Sequence, residues 1–359
     1  MIKLPPKLKY IPLEYLFRTG VFFRNLWYNY FSKGYRFPIK IISVGNLSVG
    51  GTGKTPMAEW LIRFAQKKNI QTAYLSRGYG RKTKGFLLVN PLSHTSNEVG
   101  DEALQVASNF DIPVAVCENR VLGTKQLLSI YPDIQLLILD DAFQHRKIYR
   151  DMDILMIDPT NSPFHDFVLP RGRLREPVSS LKRAHWVVIS KSNLASQNEV
   201  KKLLSKISIP KSKAKLVSYA LKNCFDETEI PLNSISRNPC FAVSGIGNNK
   251  LFIQQLFATH LNVIEAKSFK DHYVIKENEL KEIVKKCKKI VKNQVFEVPP
   301  IIVMTEKDYY RLKNLPYFVP SEIDMYYLKV GFEIENIPSS IDNFFMQFQT
   351  SNSDSNNLA

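Results

Sequence analysis

A chain of 359 residues, 44% hydrophobic and 23% charged, has enough apolar content for a packed core of one large or two smaller domains, which excludes wholesale disorder. Its 49 Lys and Arg against 33 Asp and Glu leave a formal charge of +16, which favours anionic partners such as nucleic acid, acidic phospholipid or a phosphorylated substrate. The four cysteines, Cys117, Cys224, Cys240 and Cys287, form no CxxC pair; this argues against a zinc knuckle or dithiol motif and fits a reducing compartment.

In chain order, the basic start MIKLPPKLKY is not followed by an uninterrupted apolar stretch and cleavage site, so no signal peptide is expected. No apolar run approaches the about 20 residues of a spanning helix. Residues 12–31 (PLEYLFRTGVFFRNLWYNYF) place Leu16, Phe17, Gly20, Phe23, Trp27 and Tyr30 at helical spacing, with Arg18 and Arg24 displaced to one side. The segment suits an interfacial helix with rings in the acyl boundary and arginines at lipid phosphates, and equally a helix packed on the protein's own core.

From Pro38 the pattern alternates strand and helix. A strand at Ile39–Val44 runs into Gly45-Asn-Leu-Ser48-Val49-Gly50-Gly51-Thr52-Gly53-Lys54-Thr55, and a helix is expected over 56–66. Backbone N–H groups of such a loop wrap a β-phosphate, and the helix N-terminus adds partial positive charge. Lys54 would reach the β/γ-phosphates and the Thr55 hydroxyl would ligate Mg²⁺, which implies ATP and Mg²⁺. The usual pattern has glycine where this chain has Ser48, with Gly50, Gly51 and Gly53 nearby.

Further strands are expected at 72–75, 114–116, 136–139, 154–157 and 187–190, as in a doubly wound, mostly parallel α/β sheet. The run Leu136–Leu139 ends in Asp140 and Asp141, where a Mg²⁺-holding carboxylate sits; their alternating directions let only one face the metal directly. Gln144 and His145 follow and would line the site. Polar clusters at other loop positions include Arg77 with Arg81, Asp101 with Glu102, Arg120, and the stretch 170–177 with Glu176; together they offer cations to a phosphorylated ligand.

A second α/β unit is expected from near Lys215, with strands at 241–243, 263–266, 301–304 and 326–328 and helices at 250–259 and 277–291. The latter helix carries KKCKKIVK, read as a solvated face rather than a nucleic-acid site. The organisation is therefore a helix over 1–36, a P-loop core over 37–208, a smaller subdomain over 209–348 and a polar, disordered tail over 349–359.

SVGNLSVGGTGKTP, SRGYGRK, GDEALQVA, LILDDAFQHR, LREP, SGIGN, SFKDH and VMTEKD occur in this order. Together they resemble the tetraacyldisaccharide 4′-kinase (lipid A 4′-kinase) family over nearly the whole chain. The resemblance implies transfer of the ATP γ-phosphate to the 4′-hydroxyl of a tetraacylated glucosamine disaccharide 1-phosphate, giving lipid IVA. It also implies a peripheral enzyme at the cytoplasmic face of the bacterial inner membrane, on an anionic surface, with neither nucleic acid nor an obligate protein partner. By the same resemblance Asp101 is the general base, His272 its partner, and Asp140 and Asp141 the acidic pair, with Glu102, Arg120, His145 and Glu176 at further polar positions of the site. The chain departs from the family at Ala142-Phe143 and at Lys270. The alternative is a membrane-associated regulatory P-loop ATPase; such loops carry an early lysine where this chain has Val49.

Overall fold

The computed structural model describes residues 10–235, 237–293 and 298–355. The basic start expected before Tyr10 lies outside the described residues. A 20-residue helix, α1 (Ile11–Tyr30), precedes the sheet. Then come β1 (Lys40–Asn46), α2 (Lys54–Gln66), β2 (Thr72–Ser76), β3 (Leu87–Leu88), α3 (Ser96–Val99), α4 (Asp101–Asn109), β4 (Val114–Val116), α5 (Arg120–Ile130), β5 (Leu136–Asp140), β6 (Met152–Ile157), β7 (Trp186–Ile189) and α6 (Gln197–Ser205). The later half holds β8 (Lys211–Asn223), β9 (Glu229–Ile230), β10 (Pro239–Ser244), α7 (Asn249–Ala258), β11 (Asn262–Ser268), α8 (Glu277–Asn293), β12 (Ile301–Thr305), α9 (Glu306–Leu312), β13 (Asp324–Glu335) and α10 (Ser339–Ser355).

The strands join in one sheet, in the order β11-β10-β12-β13-β8-β7-β6-β1-β5-β2-β4-β3, with β9 beside β8. β1 is central and parallel to both β5 and β6. β5 (LLILD) is buried throughout, as befits a strand covered on both faces. Consecutive apolar residues serve both layers: Ile138 faces the α2 side with Met57 and Leu61, whereas Leu137 and Leu139 face Ala73 and Leu127.

The sequence reading did not foresee that both units share this sheet. β8 begins at Lys211, pairs parallel with β7, and then runs antiparallel along β13 from Lys213 to Asn223. The expected boundary near residue 208 is thus crossed by backbone hydrogen bonds. β13 and α10 also reach back to the first unit, where the Phe345 ring meets Phe64 of α2 at 4.9 Å between centroids.

Helix α1 has an inverted face. Leu16, Phe22, Phe23, Trp27 and Tyr30 are exposed, whereas Glu14 and Val21 are buried. Its polar side meets the protein: Glu14 pairs with Arg171 at 3.0 Å and Arg24 with Glu176 at 2.7 Å. Arg24, expected at lipid phosphates, instead faces a buried carboxylate that would be costly to leave unpaired. Among the described residues no helix is long and apolar enough to cross a membrane. The tail expected to be disordered from Gln349 continues as helix to Ser355, carried on from a stem anchored by the buried Ile341, Phe344, Phe345 and Phe348; residues 356–359 lie outside the described residues.

Candidate active site

The parallel strands β1, β2, β4 and β5 end at one edge of the sheet, so the loops that follow them converge. After β1, residues 47–53 form the phosphate loop, and Lys54 opens α2. Gly53 adopts φ +86°, and a Cβ there would meet the Phe332 ring of β13 at 2.6 Å. Only glycine meets both demands. Ser48 is not among the positive-φ residues and pairs with Leu174 in an antiparallel bridge, so glycine is not required where the usual pattern has it. Val49 N–H donates to the Arg173 carbonyl at 2.9 Å, and Thr52 Oγ1 accepts from Asn46 Nδ2 at 2.9 Å. The loop is held from a third side by Lys191, whose Nζ donates to the Gly51 carbonyl at 2.6 Å and to Asp158 at 2.9 Å.

The acidic pair divides its work. Asp140 ends β5, fully in the core. Its Oδ2 accepts the Tyr74 hydroxyl at 2.8 Å and its Oδ1 the Asp141 N–H at 2.8 Å. Burial lifts its carboxyl above the usual range in spite of Lys54. Asp141 takes φ +48°, leaves the strand line and turns to the loop, with its Oδ1 3.7 Å from Lys54 Nζ and 2.7 Å from an Arg175 Nη. Burial works against its charged form, but Lys54 and Arg175 outweigh it and hold the carboxyl low.

These oxygens and the buried Thr55 form a hard-donor set that suits Mg²⁺. Asp140 is a buried carboxylate with a neutral hydroxyl and an amide as its hydrogen-bond partners, and a cation beside it would remove the desolvation penalty.

Asp101 begins α4 directly after Gly100, whose φ of +86° makes the corner. Its Oδ2 accepts from Arg311 Nε at 2.8 Å and lies 3.1 Å from His272 Nδ1. Burial opposes ionisation, but His272 and Arg311 more than compensate, so the carboxyl is brought down to about 2. In return the carboxylate raises the His272 pKa, against the effect of burial. His272 sits at φ +58°, its ring 5.4 Å from the Tyr79 ring. Arg311 is itself fixed by Asp308 at 2.9 Å and the Gly245 carbonyl at 2.7 Å. Alongside, Glu102 pairs with Lys307 at 2.6 Å. The charge of Glu102 also contributes to the upward shift of Asp140, which relates this cluster electrostatically to the phosphate loop.

Other expected site residues take supporting places. The buried Arg120 donates to the carbonyls of Cys117 (2.9 Å) and Asp140 (3.2 Å), pinning the ends of β4 and β5. Gln144 Nε2 donates to the Asn46 carbonyl at 2.8 Å. His145 is half-buried; burial and then the charge of Arg120 bring it down to about 4, so it is neutral at physiological pH. Arg77 is exposed after β2, and its charge bears on both Arg120 and His145. Glu176, expected at the site, is wholly buried, with both oxygens committed to Arg24, Asn25 and Arg183, so it is a structural anchor for α1.

A family model described as tetraacyldisaccharide-1-P 4'-kinase matches residues 7–347. The chain belongs to the tetraacyldisaccharide-1-P 4'-kinase family. It is therefore a kinase, and its reaction is phosphorylation of the 4'-hydroxyl of a tetraacyldisaccharide 1-phosphate in lipid A biosynthesis. It is similar to the tetraacyldisaccharide 4'-kinase of Cytophaga hutchinsonii, 37% identical over 89% of this chain and 92% of that protein. The Bacteroides thetaiotaomicron tetraacyldisaccharide 4'-kinase is 32% identical over 93% and 90%. The crystal structure of LpxK from Aquifex aeolicus in complex with ATP matches with a TM-score of 0.72 at 30% identity, covering 91% of this chain and 95% of that one. The α/β P-loop fold is thus the fold of this kinase family.

Sequence reasoning missed Arg311 and Lys191 and saw Arg175 only as one arginine of a cluster. The motif VMTEKD carries Asp308, and Arg311 lies three residues on, on the same helix face. Lys191 lies two residues past the end of β7, at the same sheet edge as the phosphate loop, and nothing in its own sequence neighbourhood distinguishes it from a solvated lysine.

Proposed function

We propose that the phosphoryl donor is ATP, bound by residues 48–55, and that Asp101 accepts the proton of the acceptor hydroxyl. The observation that carries this reading is the pairing of Asp101 with His272 and Arg311 at the sheet edge that also bears Lys54 and Asp141. Held ionised, Asp101 is a ready acceptor for a proton released late, as the sugar oxygen bonds to phosphorus. His272 orients that carboxylate and balances its charge; the proton passes to Asp101 Oδ1, since Oδ2 is occupied by His272 and Arg311.

Lys54 neutralises charge on the β/γ-phosphates, and Lys191 keeps the loop in shape beneath them. Thr55, Asp140 and Asp141 would hold Mg²⁺, which when bound supplies charge neutralisation between the phosphates. The exposed ring-rich face of α1 supports peripheral attachment to the inner face of the membrane, where the acyl chains of the acceptor reside. Asp101 and His272 touch in this structure, so the pair forms without any rearrangement of the chain.

The test is incubation of the purified chain with γ-labelled ATP, Mg²⁺ and a tetraacylated disaccharide 1-phosphate. Label is expected in a bisphosphorylated glycolipid; label released only as inorganic phosphate would support a regulatory ATPase instead.

A further inference from the structure

Where the chain leaves α1 and turns back to the core, it encloses a cavity of about 230 Å³ lined by Tyr28, Lys33, Arg36, Arg146, Tyr149 and Arg150. Of its four cations, only Arg150 has a carboxylate partner among the described residues, Asp153 at 3.0 Å. Arg146 donates to neutral oxygens alone, the Asn25 carbonyl at 3.1 Å and Asn29 Oδ1 at 2.8 Å. The guanidinium of Arg36 lies 3.7 Å from the centre of the Tyr149 ring and that of Arg146 5.3 Å from the centre of Tyr28. Both are therefore oriented while their charge stays uncompensated. Arg146 is brought down to about 10, by burial first and then by Arg183 and Arg150, as expected in a field with surplus positive charge. Glu176, the carboxylate that counters this most, already serves Arg24 and Arg183.

We propose that this cavity is a subsite for a phosphate ester presented at the membrane surface, separate from the phosphate loop. Three cations without a carboxylate partner, two of them oriented against aromatic rings, are what a phosphate dianion needs. The cavity opens at the foot of the helix whose apolar face is unpartnered, so an anion held there can carry its acyl chains along α1. Only four residues of chain lie between Asp141 and Arg146, which links the subsite to the transfer site through one short loop. The acceptor for which the family is named carries a 1-phosphate at the far end from its 4'-hydroxyl. It therefore needs a second anion site away from the transferred phosphate. The identity of that glycolipid rests on the functional reading above; the anion chemistry of the cavity does not. Two sources fit, the 1-phosphate of the acceptor and the headgroup of an anionic phospholipid.

The test uses the full chain with Lys33→Gln and Arg36→Gln combined, two exposed residues outside the catalytic machinery. A control of equal charge loss, Lys285→Gln with Lys289→Gln, lies on the exposed face of α8. Kinetics in detergent micelles compare the 1-phosphate acceptor with its 1-dephospho analogue. Sedimentation compares phosphatidylcholine vesicles with and without phosphatidylglycerol. A rise in KM of about tenfold for the 1-phosphate acceptor alone, with kcat kept, assigns the subsite to the acceptor. Loss of binding to the anionic vesicles with KM unchanged assigns it to a headgroup and equally supports the proposal. Unchanged behaviour in both arms, an equal KM rise for both acceptors, or the same losses in the control overturns it. If the wild type fails to phosphorylate the acceptor while the vesicle arm still responds, the functional reading falls and the anion subsite stands.

Discussion

His272 and Asp101 lie 171 positions apart in the chain, yet Nδ1 of one is 3.1 Å from Oδ2 of the other, and Arg311 binds that same oxygen. The proposed base, the histidine beside it and a buried guanidinium thus come from three separate parts of the chain and form one charged cluster. Replacement of Asp101 by Ala should leave ATP affinity nearly intact and lower kcat by a factor of about 10² to 10⁴. Steady-state kinetics with a nucleotide-binding assay checks this; a mutant with wild-type turnover removes Asp101 from the mechanism.

Lys54 stands 3.7 Å from Asp141 at the mouth of the phosphate loop. Lys54→Ala should weaken nucleotide binding and slow transfer together, because the cation acts on bound ATP and on the charge that develops in transfer. Isothermal titration and turnover on the same preparation separate the two effects, and wild-type values in both would contradict the loop assignment.

Arg311 neutralises two buried carboxylates, Asp101 and Asp308. Arg311→Leu removes the partner and leaves both charges in the interior, a loss of about 3–5 kcal/mol. Chemical denaturation should show it. A change under about 1 kcal/mol would mean that the cluster is solvated in the folded protein.

The pH dependence has a definite sign. The His272 pKa is raised above its ordinary 6.5, so its ionic contribution is complete below that value and fades as pH climbs through the higher folded value. Asp101, at about 2 against an ordinary 3.8, contributes fully above the ordinary value and loses its share as pH falls toward about 2. The unfolding midpoint of the wild type should therefore decline relative to His272→Asn on the alkaline side, above about pH 6.5. Parallel curves for the two proteins would show that no proton is shared in this pair.

Deletion of residues through Phe31 should move the protein from the membrane fraction to the soluble fraction, since the exposed rings of α1 go with it. It also strips Arg24 from the buried Glu176, so some loss of thermal stability accompanies the deletion. Unchanged partitioning would assign membrane attachment to another surface.

The amino-acid sequence by itself determined the parts of this protein that are local. The strand–loop–helix around Lys54, the apolar run that ends at Asp140 and Asp141, and the ring-rich stripe of α1 are each set within some fifteen residues by periodicity, glycine content and charge. An anion cradle and a buried strand need no distant partner to be recognised. The long motifs in fixed order extended this to Asp101 and His272 through family resemblance. Only the tertiary structure decided what depends on distant contacts. That the two units share one sheet follows from hydrogen bonds between β7 and β8 and between β8 and β13. That the polar side of α1 turns inward follows from Glu176, 152 residues beyond Arg24. The role of Arg311 follows from Asp101, 210 positions away in the chain and brought to it by another element, and that of Lys191 from the Gly51 carbonyl 140 residues away. Charge pairing across the sheet edge acts through space and leaves no periodic trace along the chain.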